Sequence, residues 1–273
     1  MEQNVIRVAI KAAIEAGAEI LRIYNDPKQD FGIERKADNS PLTLADKAAH
    51  ACIVKYLSAL PYPILSEEGK HLPFAERCKW DELWIVDPLD GTKEFIKKNG
   101  EFTVNIALVC KGMPVFGVIY VPVKGDLYWG YTGDDVKAYK ANVDCMQPEI
   151  DSDCLMASAV SLPLKKRVQG APFVIVASRS HMSPETEAYV EDKRKAYPEV
   201  QLVSSGSSIK ICMVAEGMAD AYPRYAPTME WDTAAGDAIA RAAGCKVLDA
   251  KTGTPLAYNK EDLLNPWFLV VSE

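Results

Sequence analysis

Along residues 5–24 the apolar positions Ile6, Ile10, Ile14 and Leu21 fall near one face, with Arg7, Lys11, Glu15, Glu19 and Arg22 interleaved, until Asp26-Pro27 ends the pattern. That period predicts an amphipathic helix. Residues 31–36 read as a short strand, and Ser40-Pro41 turns the chain. Thr43 followed three residues later by Asp46 is an N-terminal cap signal for a helix running to about residue 59, which puts Asp46 in a first helical turn. Residues 63–66 and 83–86 are short apolar runs that each stop at acids, as buried strands do when they deliver side chains to a sheet edge. An antiparallel meander is predicted over 102–110, 115–121 and 126–131.

Between residues 133 and 171 no strong period survives, and a lobe boundary is placed there. The division is an N-terminal α+β lobe, 1–145, and a C-terminal α/β lobe, 171–273, forming one continuous unit. Beyond it the pattern resumes as a strand at 173–177, a charged helix at 183–197 and a strand at 201–204. A mostly apolar helix at 207–218 and a helix at 233–243 closed by Gly244 follow, with final strands at 245–248 and 267–271.

A chain of 273 residues with 48% hydrophobic positions has ample material for a core, as one large domain or two packed lobes. Its 31 basic against 38 acidic residues give a net charge of -7, which disfavours nucleic acid or an anionic membrane as a non-specific partner. Any phosphate it handles needs local cations. The first residues lack the basic and apolar regions of a signal peptide, and no run approaches the roughly 20 apolar residues of a membrane span. A cytoplasmic setting is expected. Peripheral association with the inner membrane stays open, with no amphipathic basic helix to support it. Seven scattered cysteines without a C-x-x-C pair suggest neither zinc nor a disulfide scheme.

The densest chemistry lies in Trp84-Ile85-Val86-Asp87-Pro88-Leu89-Asp90-Gly91-Thr92, where a buried strand ends in an acid, a proline fixes a turn and a second acid follows. Two carboxylates converging on one small volume repel unless a hard cation lies between them, and such oxygen-rich sites suit Mg²⁺. Gly91-Thr92-Lys93-Glu94-Phe95 reads as a helix start whose free N–H groups suit a phosphate. The bland alternative makes Asp87 and Asp90 ordinary turn and cap residues. Two further acidic clusters weigh against it: Ser66-Glu67-Glu68-Gly69 after a strand, and Trp231-Asp232 opening a Gly/Ala-rich helix. An EF-hand loop from Asp87 fails because its sixth and twelfth places hold Thr92 and Lys98. The D-x-D-G-T signature of haloacid-dehalogenase phosphatases is one residue shorter than the D-x-x-D-G-T here. No Walker A, G-x-G-x-x-G or G-x-S-x-G sequence occurs.

In order and spacing, Glu67-Glu68, Asp87-Pro88-Leu89-Asp90-Gly91-Thr92 and Trp231-Asp232-Thr233-Ala234-Ala235-Gly236-Asp237 resemble the inositol-monophosphatase-like, Mg²⁺-dependent, lithium-sensitive phosphatases, over almost the whole chain. Within that family, four segments are most similar to the 3'(2'),5'-bisphosphate nucleotidases. They are Ser40-Pro41-Leu42-Thr43-Leu44-Ala45-Asp46, Ser178-Arg179-Ser180-His181, Gly206-Ser207-Ser208-Ile209-Lys210 and Glu230-Trp231-Asp232.

The resemblance implies an α/β (α+β) fold, a layered αβαβα sandwich with the site between lobes. It implies that Glu67, Asp87 and the Leu89 carbonyl hold one Mg²⁺, that Asp87, Asp90 and Asp232 hold a second, and that Glu67 with water holds a weaker third. Asp46 and Thr92 would orient and deprotonate the attacking water, with Glu67 beside them in the catalytic set. Substrate contacts would come from Glu67, Leu89, Asp90, Gly91, Thr92 and Asp232. Ser207 and Lys210 would bind the phosphate that is not cleaved, Arg224 would assist, and His181 would lie near the base or ribose.

Two of these residues have readings of their own. Lys210 in the first turn of an apolar helix opposes the helix dipole unless an anion is bound, against the alternative of a solvated lysine. His181, without the resemblance, reads as a surface loop histidine; His50 and His71 read as structural or exposed, and Trp84 and Trp231 as packing beside the acids.

The implied reaction is removal of the 3'-phosphate of adenosine 3',5'-bisphosphate (PAP) to give AMP, with conversion of the 3'-phosphoadenylyl sulfate (PAPS) to adenylyl sulfate (APS) as a second activity, in sulfate assimilation. Bound Mg²⁺ reconciles an acidic chain with a polyanionic ligand. The rivals are an inositol monophosphatase or sugar-bisphosphatase on the same scaffold, and a non-catalytic sensor of nucleotide and Mg²⁺. A monomer is slightly favoured.

Overall fold

The first apolar stripe forms helix α1 (Gln3–Tyr24), whose buried face packs on α2 (Leu44–Leu57). The computed structural model describes residues 2–27, 31–35, 41–70, 72–133, 135–147, 151–168, 170–177 and 183–272. Between α1 and α2 lie the two-residue strands β1 (Glu34–Arg35) and β2 (Pro41–Leu42). The chain continues through β3 (Ile64–Ser66), α3 (Phe74–Arg77), β4 (Glu82–Asp90), α4 (Thr92–Ile96), β5 (Thr103–Cys110), β6 (Met113–Val121) and β7 (Asp126–Tyr131). Then come β8 (Lys137–Asn142), α5 (Ser152–Ala157) and β9 (Val160–Ser161). The second half comprises β10 (Phe173–Ala177), α6 (Pro184–Ala196), β11 (Val200–Ser204), α7 (Ile209–Ala215), β12 (Ala221–Arg224), α8 (Glu230–Ala242), β13 (Lys246–Asp249) and β14 (Phe268–Val271).

A seven-stranded sheet runs β3-β4-β5-β6-β7-β8-β9, with only β3 and β4 parallel; a five-stranded sheet runs β11-β10-β12-β14-β13. Alternation across the pleat sorts the large sheet's residues into two cores. Trp84, Val86, Ile106, Phe116 and Val118 join α1 and α2 in one; Leu83, Ile85, Val109 and Ile119 join α7, α8 and the smaller sheet in the other. A third cluster, Phe173, Ile175, Ala221 and Val190, seals α6 onto the outer face of the smaller sheet. The layers are therefore α1/α2, large sheet, α7/α8, small sheet and α6, the αβαβα sandwich expected.

Helix α8 lies between the two sheets because small residues let it approach. Ala234, Ala235 and Ala238 are buried, and a Cβ on Gly117 of β6 would stand 2.2 Å from the Ala235 carbonyl oxygen. A Cβ on Gly130 of β7 would stand 3.0 Å from the Ile239 Cα.

The strand expected over 31–36 is the two-residue β1, α3 was not expected, and α8 begins at Glu230 rather than 233; three further differences have a visible cause. The stretch from 133 to 171 is not featureless: β8, α5 and β9 lie in it, and the large sheet runs on to Ser161. Its signal is thin because β8 buries few positions fully and both residues of β9 are exposed. Strand β12 escapes detection because Pro223 sits inside it; among the described residues it meets β10 at Ile175 opposite Ala221 and β14 along its length, with Pro223 opposite Leu269. Helix α7 starts at Ile209 rather than 207, because Ser207 has a left-handed φ of 41°.

Gly117→Ala drives a methyl group into the α8 backbone. It should cost about 1–3 kcal/mol, read as a lower urea midpoint with an unchanged m-value; an unshifted midpoint contradicts this packing.

Candidate active site

The two acids of the central motif are brought together by a β-bulge, not by the end of a strand. Asp87 pairs with Asn105 and Asp90 with Thr103, so three steps along β4 match two along β5, with Pro88 where no ladder N–H is required. The bulge is held by the Leu89 N–H, which donates to Asp87 Oδ1 at 3.0 Å. Gly91 then reverses the chain at φ 96°, where a Cβ would also press on the Glu101 carbonyl at 3.2 Å. The helix predicted after it is the single turn α4, Thr92–Ile96.

Asp232 arrives from the first turn of α8, where its Oδ2 accepts from the Met229 N–H at 2.9 Å. One carboxylate oxygen from each of Asp87, Asp90 and Asp232 lies within 4.8 Å of the others. Glu67 follows β3, its N–H donating to the Val86 carbonyl at 3.0 Å, and its carboxyl faces Asp87. Burial, reinforced by the charges of Glu67, Asp90 and Asp232, pushes Asp87 well above the ordinary carboxylate range. Burial followed by the charge of Asp90 pushes Asp232 up to about 8.

These residues fit a hard divalent cation. The donors are all oxygens, and the ammonium of Lys210 gives its hydrogen bonds to the carbonyls of Ser207 and Ser205 rather than to the acids. A cation coordinated by Glu67, Asp87, Asp90, Asp232 and the Leu89 carbonyl would remove the repulsion.

Asp46 sits in the first turn of α2 as the spacing predicts. Its Oδ2 accepts from the Thr43 N–H at 2.7 Å and the Thr43 hydroxyl at 2.6 Å, while its Oδ1 accepts from the Thr92 hydroxyl at 3.2 Å. The same Thr92 proton is shared with the Leu89 carbonyl at 3.4 Å, which ties the pair to the bulge. His50 is structural: its Nδ1 lies 2.9 Å from the Ser66 hydroxyl, just before Glu67.

A cavity of about 510 Å³ is lined by Asp90 and Asp232 and by Ser207, Lys210 and Arg224, within the size range of small-molecule sites. Lys210 is not a solvated lysine; it is 5% exposed, and burial, against the opposing pull of Asp90, lowers its pKa to about 8. Ser207 Oγ and Arg224 Nε are buried without a hydrogen-bond partner. Gly206 is required where the anchor loop meets the α4–β5 loop, since a Cβ there would stand 2.7 Å from the Glu101 carbonyl. Ser40, His71 and the segment Ser178-Arg179-Ser180-His181 lie outside the described residues.

Sequence reading missed the supports. Ser208 and Asn105 bridge to Asp90 by side-chain hydrogen bonds. Glu230, fully buried, accepts from the Asn259 N–H at 2.6 Å and the Lys260 N–H at 3.0 Å. An acid beside Trp231-Asp232 was the only local hint, and its partners are about 30 residues away.

The sequence pattern of the inositol monophosphatase family matches residues 1–267. The chain belongs to this family. It is 44% identical over 264 residues to the 3'(2'),5'-bisphosphate nucleotidase CysQ of Escherichia coli, covering 94% of this chain and 96% of that protein. To CysQ of Haemophilus influenzae it is 32% identical, covering 100% of this chain and 94% of that one. The crystal structure of CysQ from Bacteroides thetaiotaomicron, described as a bacterial member of the inositol monophosphatase family, matches with a TM-score of 0.87 at 58% identity over 97% of this chain and 96% of that chain. The extragenic suppressor protein suhB from Bartonella henselae matches with a TM-score of 0.74 at 27% identity, over 98% and 94% respectively.

The acid cluster makes stability depend on pH and cation together. With its pKa raised to about 8, Asp232 of the metal-free folded chain keeps a proton that the unfolded chain releases near 4. Its contribution is therefore complete below about pH 4 and is lost as pH rises towards 8. Thermal scans should show Mg²⁺ raising Tm more at pH 8 than at pH 5, and Asp232→Asn should shrink that difference. An equal Mg²⁺ effect at both pH values contradicts the clustering.

Proposed function

We propose that this protein is a Mg²⁺-dependent phosphatase that removes the 3'-phosphate of PAP to give AMP, and that it also converts PAPS to APS. The observation that carries the reading is one cavity lined by two unlike sets of groups: the carboxylates of Asp90 and Asp232, and Ser207, Lys210 and Arg224. A bisphosphate needs a cleaving end and an anchoring end, whereas a monophosphate needs only the first. The relatives named 3'(2'),5'-bisphosphate nucleotidase support the same substrate. Residues 1–145 would form the lobe with most metal ligands, and 171–273 the lobe with the anchor and Asp232. Sulfate assimilation is the setting that such a substrate suggests. Among the described residues no helix is long and apolar enough to cross a membrane, and a cytoplasmic monomer is the form we take.

Two or three Mg²⁺ ions, when bound, would supply positive charge to the phosphoryl oxygens and the leaving group. The chain's own residues do the rest. Thr92, its proton directed to Asp46 Oδ1, presents an oxygen lone pair that can orient a water and accept its proton while Asp46 takes the one Thr92 gives up. Thr43 saturates Asp46 Oδ2 and leaves Oδ1 to that task. Ser207, Lys210 and Arg224 hold the other phosphate, so the nucleotide lies with its 3' end towards the acids.

A phosphate-release panel of PAP, PAPS, inositol monophosphate and fructose bisphosphate, run with and without Mg²⁺ and Li⁺, tests this reading. PAP should have the highest kcat/KM. Asp90→Asn should lower kcat at least about 100-fold with an unchanged circular dichroism spectrum. A preference for either sugar substrate would overturn the substrate, and no release at saturating Mg²⁺ would favour a sensor.

Lys210→Ala removes about 1.5–3 kcal/mol of charged hydrogen bonding, so KM for PAP should rise roughly tenfold or more while kcat changes little. An unchanged KM takes Lys210 out of the substrate site.

A further inference from the structure

We infer that Ser208, although flanked by the anchor residues Ser207 and Lys210, is a positioning residue for the acid cluster: its hydroxyl fixes Asp90 so that the free carboxylate oxygen faces the cation. The inference rests on the proposed function only in treating Ser207 and Lys210 as the nucleotide anchor.

Adjacent serines serve opposite directions here. Ser207 Oγ is buried and has no partner, as a group waiting for a ligand does. Ser208 Oγ is engaged on three sides. It lies 2.8 Å from Asp90 Oδ2 and 2.7 Å from the Asp232 carbonyl, and it accepts from Asn105 Nδ2 at 2.9 Å. A hydroxyl has one proton and two lone pairs. Asn105 occupies a lone pair, so the proton is directed towards Asp90 and the Asp232 carbonyl, both of which only accept. Both contacts lie at ordinary O–H···O distances, so the one proton is shared between the Asp90 carboxylate and the Asp232 carbonyl and ties the two together.

Ser208 is 3% exposed. Its hydroxyl makes no cap bond to α7, and its removal costs the helix no cap. One atom thus links α7, the β4 bulge and the first turn of α8. Asp46, Asp87 and Asp232 each have one oxygen tied to a main-chain amide. Asp90 obtains the equivalent restraint from Ser208.

The test is calorimetric and needs no turnover. Mg²⁺ alone, and separately 2',3'-dideoxyadenosine 5'-phosphate alone, are titrated into the full-length metal-free protein and its Ser208→Ala variant. This nucleotide carries the anchor phosphate and no hydroxyl for the acids. The Mg²⁺ Kd should rise about tenfold or more, as for loss of a group that orients a metal ligand, while the nucleotide Kd stays within twofold. An unchanged Mg²⁺ Kd overturns the inference. So does a parallel loss of both ligands, which would mean that the anchor loop has collapsed. If the wild-type protein does not bind the nucleotide, the anchor reading fails, and the Mg²⁺ comparison still decides the role of Ser208.

Discussion

Carboxylates held close together in a shielded place repel one another unless they keep protons or share a cation. Asp87, Asp90 and Asp232 are held in that condition, with one oxygen of each within 4.8 Å of the others and Glu67 against Asp87. The surrounding structure is a set of restraints against that repulsion. The Leu89 N–H holds Asp87, the Met229 N–H holds Asp232, and the Thr43 N–H holds Asp46. In each case one oxygen is held by a main-chain N–H, and the second oxygen of Asp46 meets the Thr92 hydroxyl. Donors fixed before a ligand arrives do not have to reorganise when it binds.

That arrangement depends on where the elements are forced to lie. Asp232 belongs to a helix clamped between two sheets by small residues, and its first turn is pinned by the loop that wraps Glu230. Arg77 ties the same loop to the segment that follows Glu67. Its guanidinium donates to Asn259 Oδ1 at 2.7 Å and to the Leu72 carbonyl at 3.1 Å, and Asn259 Nδ2 donates back to the Arg77 carbonyl at 2.9 Å. The spacing between Glu67 and Asp232 is thus set by bonds within the fold as well as by any ion they share.

What could be read from the sequence follows how local each signal is. The stripe of α1, the Thr43–Asp46 cap and the strands of the meander are written within a few residues, and they form where the periods place them. The acidic motif showed which residues converge but not how, because a bulge is a property of two strands and appears only in the pairing of Asp87 and Asp90 with β5. Strands β8, β9 and β12 lacked apolar periodicity because few of their residues are fully buried on alternate positions or because proline interrupts them. Ser208, Asn105 and Glu230 were illegible for a different reason. Ser208 meets Asp90 across 118 residues and Asn105 across 103, so nothing near them in sequence marks the contact. The roles given to Ser207, Lys210 and Arg224 came from family resemblance; the residues alone left Lys210 undecided between anchor and surface lysine, and its burial removes the second of these.

Asp232 and Lys210, which both line the cavity, are out of electrostatic balance in opposite senses. Burial raises the pKa of Asp232 to about 8 and lowers that of Lys210 to about 8, so near that pH each is close to losing the charge its proposed partner would need. A cation at the acids favours their ionised form, and an anion at Lys210 favours the ammonium. A ligand bringing phosphate to Lys210 while sharing cations with the acids relieves both penalties at once, and a ligand that meets only one of these groups relieves one. On this argument selectivity for a substrate with two phosphates arises from the burial of both the acids and Lys210.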